Sequence, residues 1–207
     1  MRSAWSRMRR GALVAGGVLL SVVLAGCSSG SAEQNGDSAA TTTGKSPSSS
    51  ASSSDSAIPS PKDATAVGVC ELFPQEAASK LGVQPQGRKS ENDISDPGSY
   101  RCTWENENAT TTVSLSPTQG RSLDTYYARE SEYVDFERIT VHGYPGVRSN
   151  KVKPMESGSC GMHVAVQSDQ LVQSFATVPS DDTGSAEPCA LAKKTLRLSL
   201  PSWPAAE

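Results

Sequence analysis

Histidine is almost missing from this chain: His142 and His163 are the only two. Any His-dependent triad must use one of them, and nothing in the sequence arranges a Ser and a carboxylate around either. Aromatic residues make up only 5% of the chain, so its core is modest and calls for covalent reinforcement. None of the five cysteines forms a C-x-x-C pair, which argues against zinc ribbons and thioredoxin-like redox chemistry alike. There is no G-x-G-x-x-G and no βαβ rhythm, which argues against a nucleotide-binding sheet. Asp181-Asp182 lies in a Pro/Ser/Gly loop without the calcium-loop pattern, and no metal ligand set or cofactor is expected. No apolar run reaches the about 20 residues that a stable membrane span needs.

What is present begins with the leader. Arg2, Arg7, Arg9 and Arg10 form a basic start with no acid, followed by a fifteen-residue apolar stretch from Gly11 to Ala25. Leu24-Ala25-Gly26-Cys27 then reads as a bacterial lipobox. The expected outcome is a signal peptide over 1–26, removed as Cys27 is acylated and becomes the first mature residue. Two acyl chains are the number that stable attachment to a bilayer needs. The expected location is therefore the extracytoplasmic face of the cell membrane. Arg9-Arg10 leaves Sec and twin-arginine export both open. Gly26 to Gly30 also spells G-x-S-x-G, but it straddles the cleavage point and no strand precedes it, so it is no nucleophile elbow.

Removing the leader takes away four Arg and no acid, and the formal charge moves from −3 to −7. No basic run survives, which argues against a nucleic-acid partner. Residues 27–66 comprise Cys27 and a Ser/Thr/Ala-rich stretch with almost nothing to bury, expected to stay disordered as a tether. A chain of about 39 residues of this kind has an r.m.s. span of roughly 35 Å. Residues 67–207 are expected to form one globular domain.

Cys70, Cys102, Cys160 and Cys189 remain for that domain, an even number in an oxidising compartment, at spacings of 32, 58 and 29. Three connectivities exist. Cys70–Cys102 with Cys160–Cys189 is favoured, because each closes a loop of about 30 residues and is worth roughly 3 kcal/mol in the loop-entropy model.

Periodicity supplies the elements. Cys70 to Gly82 reads as a helix with Pro74 in its first turn, and Lys89 to Gly98 as a polar loop. Tyr100 to Glu105 and Thr110 to Leu115 alternate as a hairpin around Asn106 to Ala109. Ser122 to Tyr133 reads as a short amphipathic helix. Phe136 to Val141 and Tyr144 to Val147 flank a turn at His142-Gly143. Gly161 to Gln167 and Leu171 to Val178 form a further hairpin, with Met162, Val164 and Val166 inward and His163 on the other, exposed face. Cys189 to Leu200 is a closing helix stopped by Pro201. Together these predict an α+β fold: one antiparallel sheet, helices packed on one face, two disulfides.

Trp104 beside Tyr100, and Tyr126, Tyr127, Tyr133 and Tyr144, are the aromatic groups available for recognition. Trp104, Tyr126, Tyr127 and Tyr144 form the candidate binding surface, with core packing beside Cys102 the competing expectation for Trp104. His142 and His163 are expected to be ordinary surface residues. Cys160 and His163 face different ways on their strand and cannot pair as nucleophile and base. The expected function is a non-catalytic binding or interaction module of the cell envelope, for an envelope protein, a glycan or a small apolar molecule. The alternatives are an accessory or regulatory subunit of an envelope system, and a secreted-side hydrolase using His142 or His163.

The motifs also resemble a family. The lipobox, the Ser/Thr linker, Cys70-x-Leu72, Cys102-x-Trp104, Val141-x-Gly143-Tyr-Pro145-Gly-Val147, Cys160-x-x-x-Val164-x-Val166 and Cys189-Ala-Leu-Ala192 occur in order. They are similar to those of the small actinobacterial lipoproteins that carry a domain of unknown function (DUF3558). The resemblance spans essentially the whole chain and implies location and architecture, with no activity to carry over. Gly146 stands where such sequences often carry Ala, a departure expected to be inconsequential.

Overall fold

The computed structural model describes residues 58–92 and 98–207. The leader, Cys27 and the tether up to residue 57 lie outside the described residues, as do residues 93–97 of the expected loop.

The four-residue Val69–Leu72 turn leads into α1, Gln75–Leu81. This replaces the continuous helix expected from Cys70. Pro74 sits at extended backbone angles ahead of α1 rather than inside it, and Gly82 ends α1 in the left-handed conformation. The strands are β1 Arg88–Glu91, β2 Tyr100–Glu105, β3 Thr112–Gln119, β4 Asp135–Val141, β5 Tyr144–Asn150, β6 Ser159–Gln167 and β7 Gln170–Thr177. Three further helices are α2 Asp124–Tyr127, α3 Pro154–Ser157 and α4 Pro188–Ser199.

The seven strands form one antiparallel sheet in the order β1-β2-β3-β7-β6-β5-β4. Two meanders meet at the β3·β7 pair, which runs in register from Thr112↔Thr177 to Gln119↔Gln170. Between the meanders the chain crosses from β3 to the far edge through α2. The β4–β5 hairpin turns at His142 (φ 51°) and Gly143 (φ 86°), the left-handed pair that a two-residue type I′ turn requires.

Alternation decides what each face buries. Val113, Leu115, Met162, Val164, Val172 and Ala176 point to the main core, closed by α4 through Ala192, Leu196 and Leu200. Along α4 and the turn that follows it these residues fall four apart, which puts them on one stripe. Two disulfides staple this layer: Cys70–Cys102 ties the first turn to β2, and Cys160–Cys189 ties β6 to α4. Two buried polar groups find partners there, whereas the buried Trp104 Nε1 has none among the described residues. Ser174 Oγ donates to the Ala192 carbonyl at 3.1 Å, and Trp203 Nε1 donates to the Leu72 carbonyl at 2.8 Å.

The fold is thus the expected α+β arrangement, with α1 and α4 on one face of an antiparallel sheet. Four local expectations change. First, Lys89 to Glu91 is an edge strand, paired Arg88↔Thr103 through Glu91↔Tyr100. It carries no apolar alternation because an outermost strand gains from its backbone ladder without burying side chains. Second, the Ser122–Tyr133 helix is two short pieces, α2 and a turn at Glu130–Glu132. Third, α2 covers the opposite face of the sheet, where Leu123 and Tyr126 pack on Val147, Ala165 and Leu171.

Fourth, the fold begins upstream of residue 67. Ile58 to Ala66, assigned to the tether, runs as a strap along the end of the sheet. Lys62 N–H donates to Val166 O (3.1 Å), Asp63 N–H to Pro204 O (3.0 Å) and Ala206 N–H to Pro61 O (3.0 Å). Ala64 is fully buried, and its N–H donates to the buried Gln170 Oε1 at 2.8 Å. The Tyr144 hydroxyl donates to the Ser60 carbonyl. Backbone hydrogen bonding rather than apolar content holds this segment, so composition gave no sign of it.

Candidate functional site

The strap, α2 and the β4–β5 hairpin enclose a cleft of about 670 Å³. Its apolar lining includes Ile58 from the strap, Leu123 and Tyr127 from the α2 segment, Ile139 and Pro145 from the hairpin, and Ala165 from β6. Leu123 and Ala165 are buried and form a floor, Tyr127 is half-buried, and Ile139 turns its side chain to the main core on the other face. Two charged side chains, Asp124 and Arg138, also line it, with Ser122, Thr140, Gln167 and Ser168. The Arg138 guanidinium carbon lies 4.1 Å from the centroid of the Tyr127 ring. Contact with the ring face holds a cation electrostatically and fixes the plane of the guanidinium.

Around the cleft the aromatics interlock. Tyr126 stacks with Tyr133 at 6.3 Å, Tyr133 with Phe136 at 6.0 Å, and Phe136 meets the Tyr127 edge at 6.4 Å. The sequence therefore places the tyrosines near one another, but mostly as packing. Of the four residues assigned to the binding surface, only Tyr127 lines the cleft. Trp104 is 1% exposed and sits edge-on to Phe73 at 5.2 Å beneath the first disulfide. It is a core residue, as period-two aromatics on a buried face generally are, and offers no platform. Tyr144 is buried with its hydroxyl committed to the strap, and Tyr126 is buried against His163.

Neither histidine reaches the cleft lining. His163 is buried, not a surface residue: the α2 segment covers the face that alternation gave to solvent. The Tyr126 hydroxyl and His163 Nδ1 share a hydrogen bond of 3.1 Å, and the two rings lie 4.3 Å apart. Burial, with the Arg121 guanidinium adding to it, pushes this imidazole from 6.5 down to about 3. Burial likewise pushes the Tyr126 hydroxyl up. His142 is exposed at the hairpin turn, and its Nε2–H donates to the Arg197 carbonyl on α4 at 2.9 Å.

The acids sort into separate groups. Asp135 takes a bidentate contact from Arg148 Nε at 2.9 and 3.0 Å, a second from Nη2 at 2.7 Å, and Asn150 Nδ2 at 2.7 Å. Glu137 pairs with Arg148 Nη1 at 2.7 Å. The Asp135 carboxylate also lies close to the Cys160 and Cys189 sulfurs, but these are joined as a disulfide and offer no thiolate to a metal. On the strap, hydrogen bonds from Thr65 and Gln170 hold the Asp63 carboxyl below its ordinary value.

Sequence reading missed Arg138 and Leu123 as site residues. Leu123 had a signal, as part of the amphipathic pattern with Tyr126 and Tyr127. Arg138 had none, since its contact with Tyr127 joins separate elements.

The class that these features define is a small α+β domain: a seven-stranded antiparallel sheet stapled twice, with a cleft where a short helix crosses the sheet face opposite α4. The chain belongs to the family described as Protein of unknown function (DUF3558), whose pattern matches residues 22–202. Among solved structures it is similar to the solution structure of cyanobacterial PsbP (CyanoP) from Synechocystis sp. PCC 6803. That likeness has 10% identity, covers 62% of this chain and 89% of that chain, and has a TM-score of 0.34. At that score it carries no argument, and the fold rests on its own strand pairing. No curated protein matches the sequence.

Proposed function

We propose that the domain is a non-catalytic ligand-binding module, held at the extracytoplasmic face of the cell membrane through acylated Cys27. The observation that carries the reading is the cleft of about 670 Å³, with Leu123 and Ala165 as floor and Pro145 and Tyr127 as walls. Small-ligand sites generally enclose about 300–1,000 Å³, mostly apolar with a few placed polar groups. A concave site favours a small molecule over a flat protein or glycan contact, since Trp104, Tyr126 and Tyr144 are buried. The hydrolase alternative loses support because His163 is sequestered with Tyr126 and His142 is committed to α4. The leader's basic start, apolar stretch and lipobox support the anchor, and no helix among the described residues is long and apolar enough to cross a membrane.

Two measurements test this. In cell fractionation, Cys27→Ser should move the protein out of the membrane fraction, and its retention there would contradict the anchor. A neutral solvatochromic dye should bind the full chain carrying Cys27→Ser. Thr140→Trp, at an exposed lining position, should abolish that binding; unaltered dye affinity would contradict the cleft.

A further inference from the structure

Resting on the cleft reading above, we infer that the ligand is an amphiphile with one anionic head group, a carboxylate or a phosphate. The head seats on Arg138 and the apolar tail runs along Leu123, Pro145 and Ala165.

The charge inventory of β4 carries the inference. The strand presents Asp135, Glu137 and Arg138. Both acids are committed to Arg148 of β5. Alternation sends Glu137 and Arg138 to opposite faces, so the neighbouring acid in sequence is not a partner in space. Among the described residues no carboxylate lies within ion-pair distance of Arg138. Its guanidinium instead lies against the Tyr127 ring face, 4.1 Å from the centroid. Stacking leaves the N–H edges of a guanidinium open while fixing its plane, and that fork matches a carboxylate or phosphate.

The surroundings specify the rest of the ligand. An inorganic anion would leave the apolar floor wet, whereas an alkyl or ring tail removes it from water. Asp124 shares the lining without pairing to Arg138. Its carboxylate repels an anionic head displaced from the guanidinium, which orients the ligand with its head on Arg138. Ser122, Thr140 and Ser168 add hydrogen-bonding groups within the same lining.

The test uses the full chain carrying Cys27→Ser and displacement of the neutral dye by dodecanoate, dodecyl phosphate and dodecanol, all below micelle-forming concentrations. Either anion should bind about tenfold tighter than the alcohol, the worth of a charge-assisted fork to a cation. Arg138→Gln should bring the anions to the alcohol's affinity and leave the alcohol unchanged. The tighter of the two anions then identifies the head group. The inference is overturned if dodecanol matches both anions, if Arg138→Gln keeps the anion preference, or if dodecyltrimethylammonium binds as tightly as the anions. It is also overturned if none of the three displaces a dye that does bind. Absence of dye binding would instead overturn the cleft reading itself, so the two failures are distinct.

Discussion

Acidifying the protein from pH 7 to pH 5 isolates the contribution of His163. The folded imidazole is held at about 3, against 6.5 for an ordinary one, because burial opposes its charged form. Above 6.5 both folded and unfolded chains carry it neutral, and it adds no pH dependence. Below 6.5 the unfolded chain takes up a proton that the folded chain refuses until about 3. Stability is therefore complete above 6.5 and falls as pH drops, at up to about 1.4 kcal/mol per pH unit across that window. Between pH 7 and pH 5 the loss is about 2 kcal/mol. The control is His163→Gln, whose amide both donates and accepts toward the Tyr126 hydroxyl and does not titrate. Urea unfolding of both proteins at pH 7 and pH 5 gives the difference directly. Wild type should lose about 2 kcal/mol more than the variant over the interval. Equal losses in the two proteins would refute the reasoning, because they would mean that the buried ring protonates as readily folded as unfolded.

Two further outcomes follow from packing and crosslinking. A Cβ at Gly146 would collide with the His163 carbonyl across the β5·β6 pair, and would lie 3.1 Å from Val164 Cγ1 and 3.2 Å from Ile139 Cγ1. Gly146→Ala should therefore cost about 1–3 kcal/mol in chemical denaturation, not the negligible amount expected from family resemblance, and an unchanged midpoint would contradict the strand spacing. Replacing Cys160 and Cys189 together by Ala should cost roughly 3 kcal/mol, and peptide mapping of the unreduced protein should recover Cys70 with Cys102 and Cys160 with Cys189.

What was legible in the sequence is what side-chain periodicity encodes. Tyr100 to Glu105, Gly161 to Gln167 and Leu171 to Val178 alternate cleanly because one face of each meets the main core, and they appear as β2, β6 and β7. The His142-Gly143 turn was legible because few residues accept its backbone angles. The disulfide pairing was legible because each short loop joins neighbouring elements. β1 and the strap were not, because both are held chiefly by backbone hydrogen bonds that leave no apolar pattern. The burial of His163 was missed for a related reason. Alternation assigns a residue to a face, but whether that face is covered depends on where the β3-to-β4 crossover travels. The cleft depends on the same crossover: Ile58, Tyr127, Arg138 and Ala165 come together only once it and the strap are placed.

The proposed binding site is the cleft between α2 and the β4–β5 hairpin. The most direct measurement is amide chemical-shift mapping of the full chain carrying Cys27→Ser during titration with dodecanoate. Perturbations should concentrate at Leu123, Tyr127, Arg138, Ile139 and Ala165, and be lost in Thr140→Trp. Perturbations centred instead on α4 or on the Trp104 side of the core, or none at all, would contradict it.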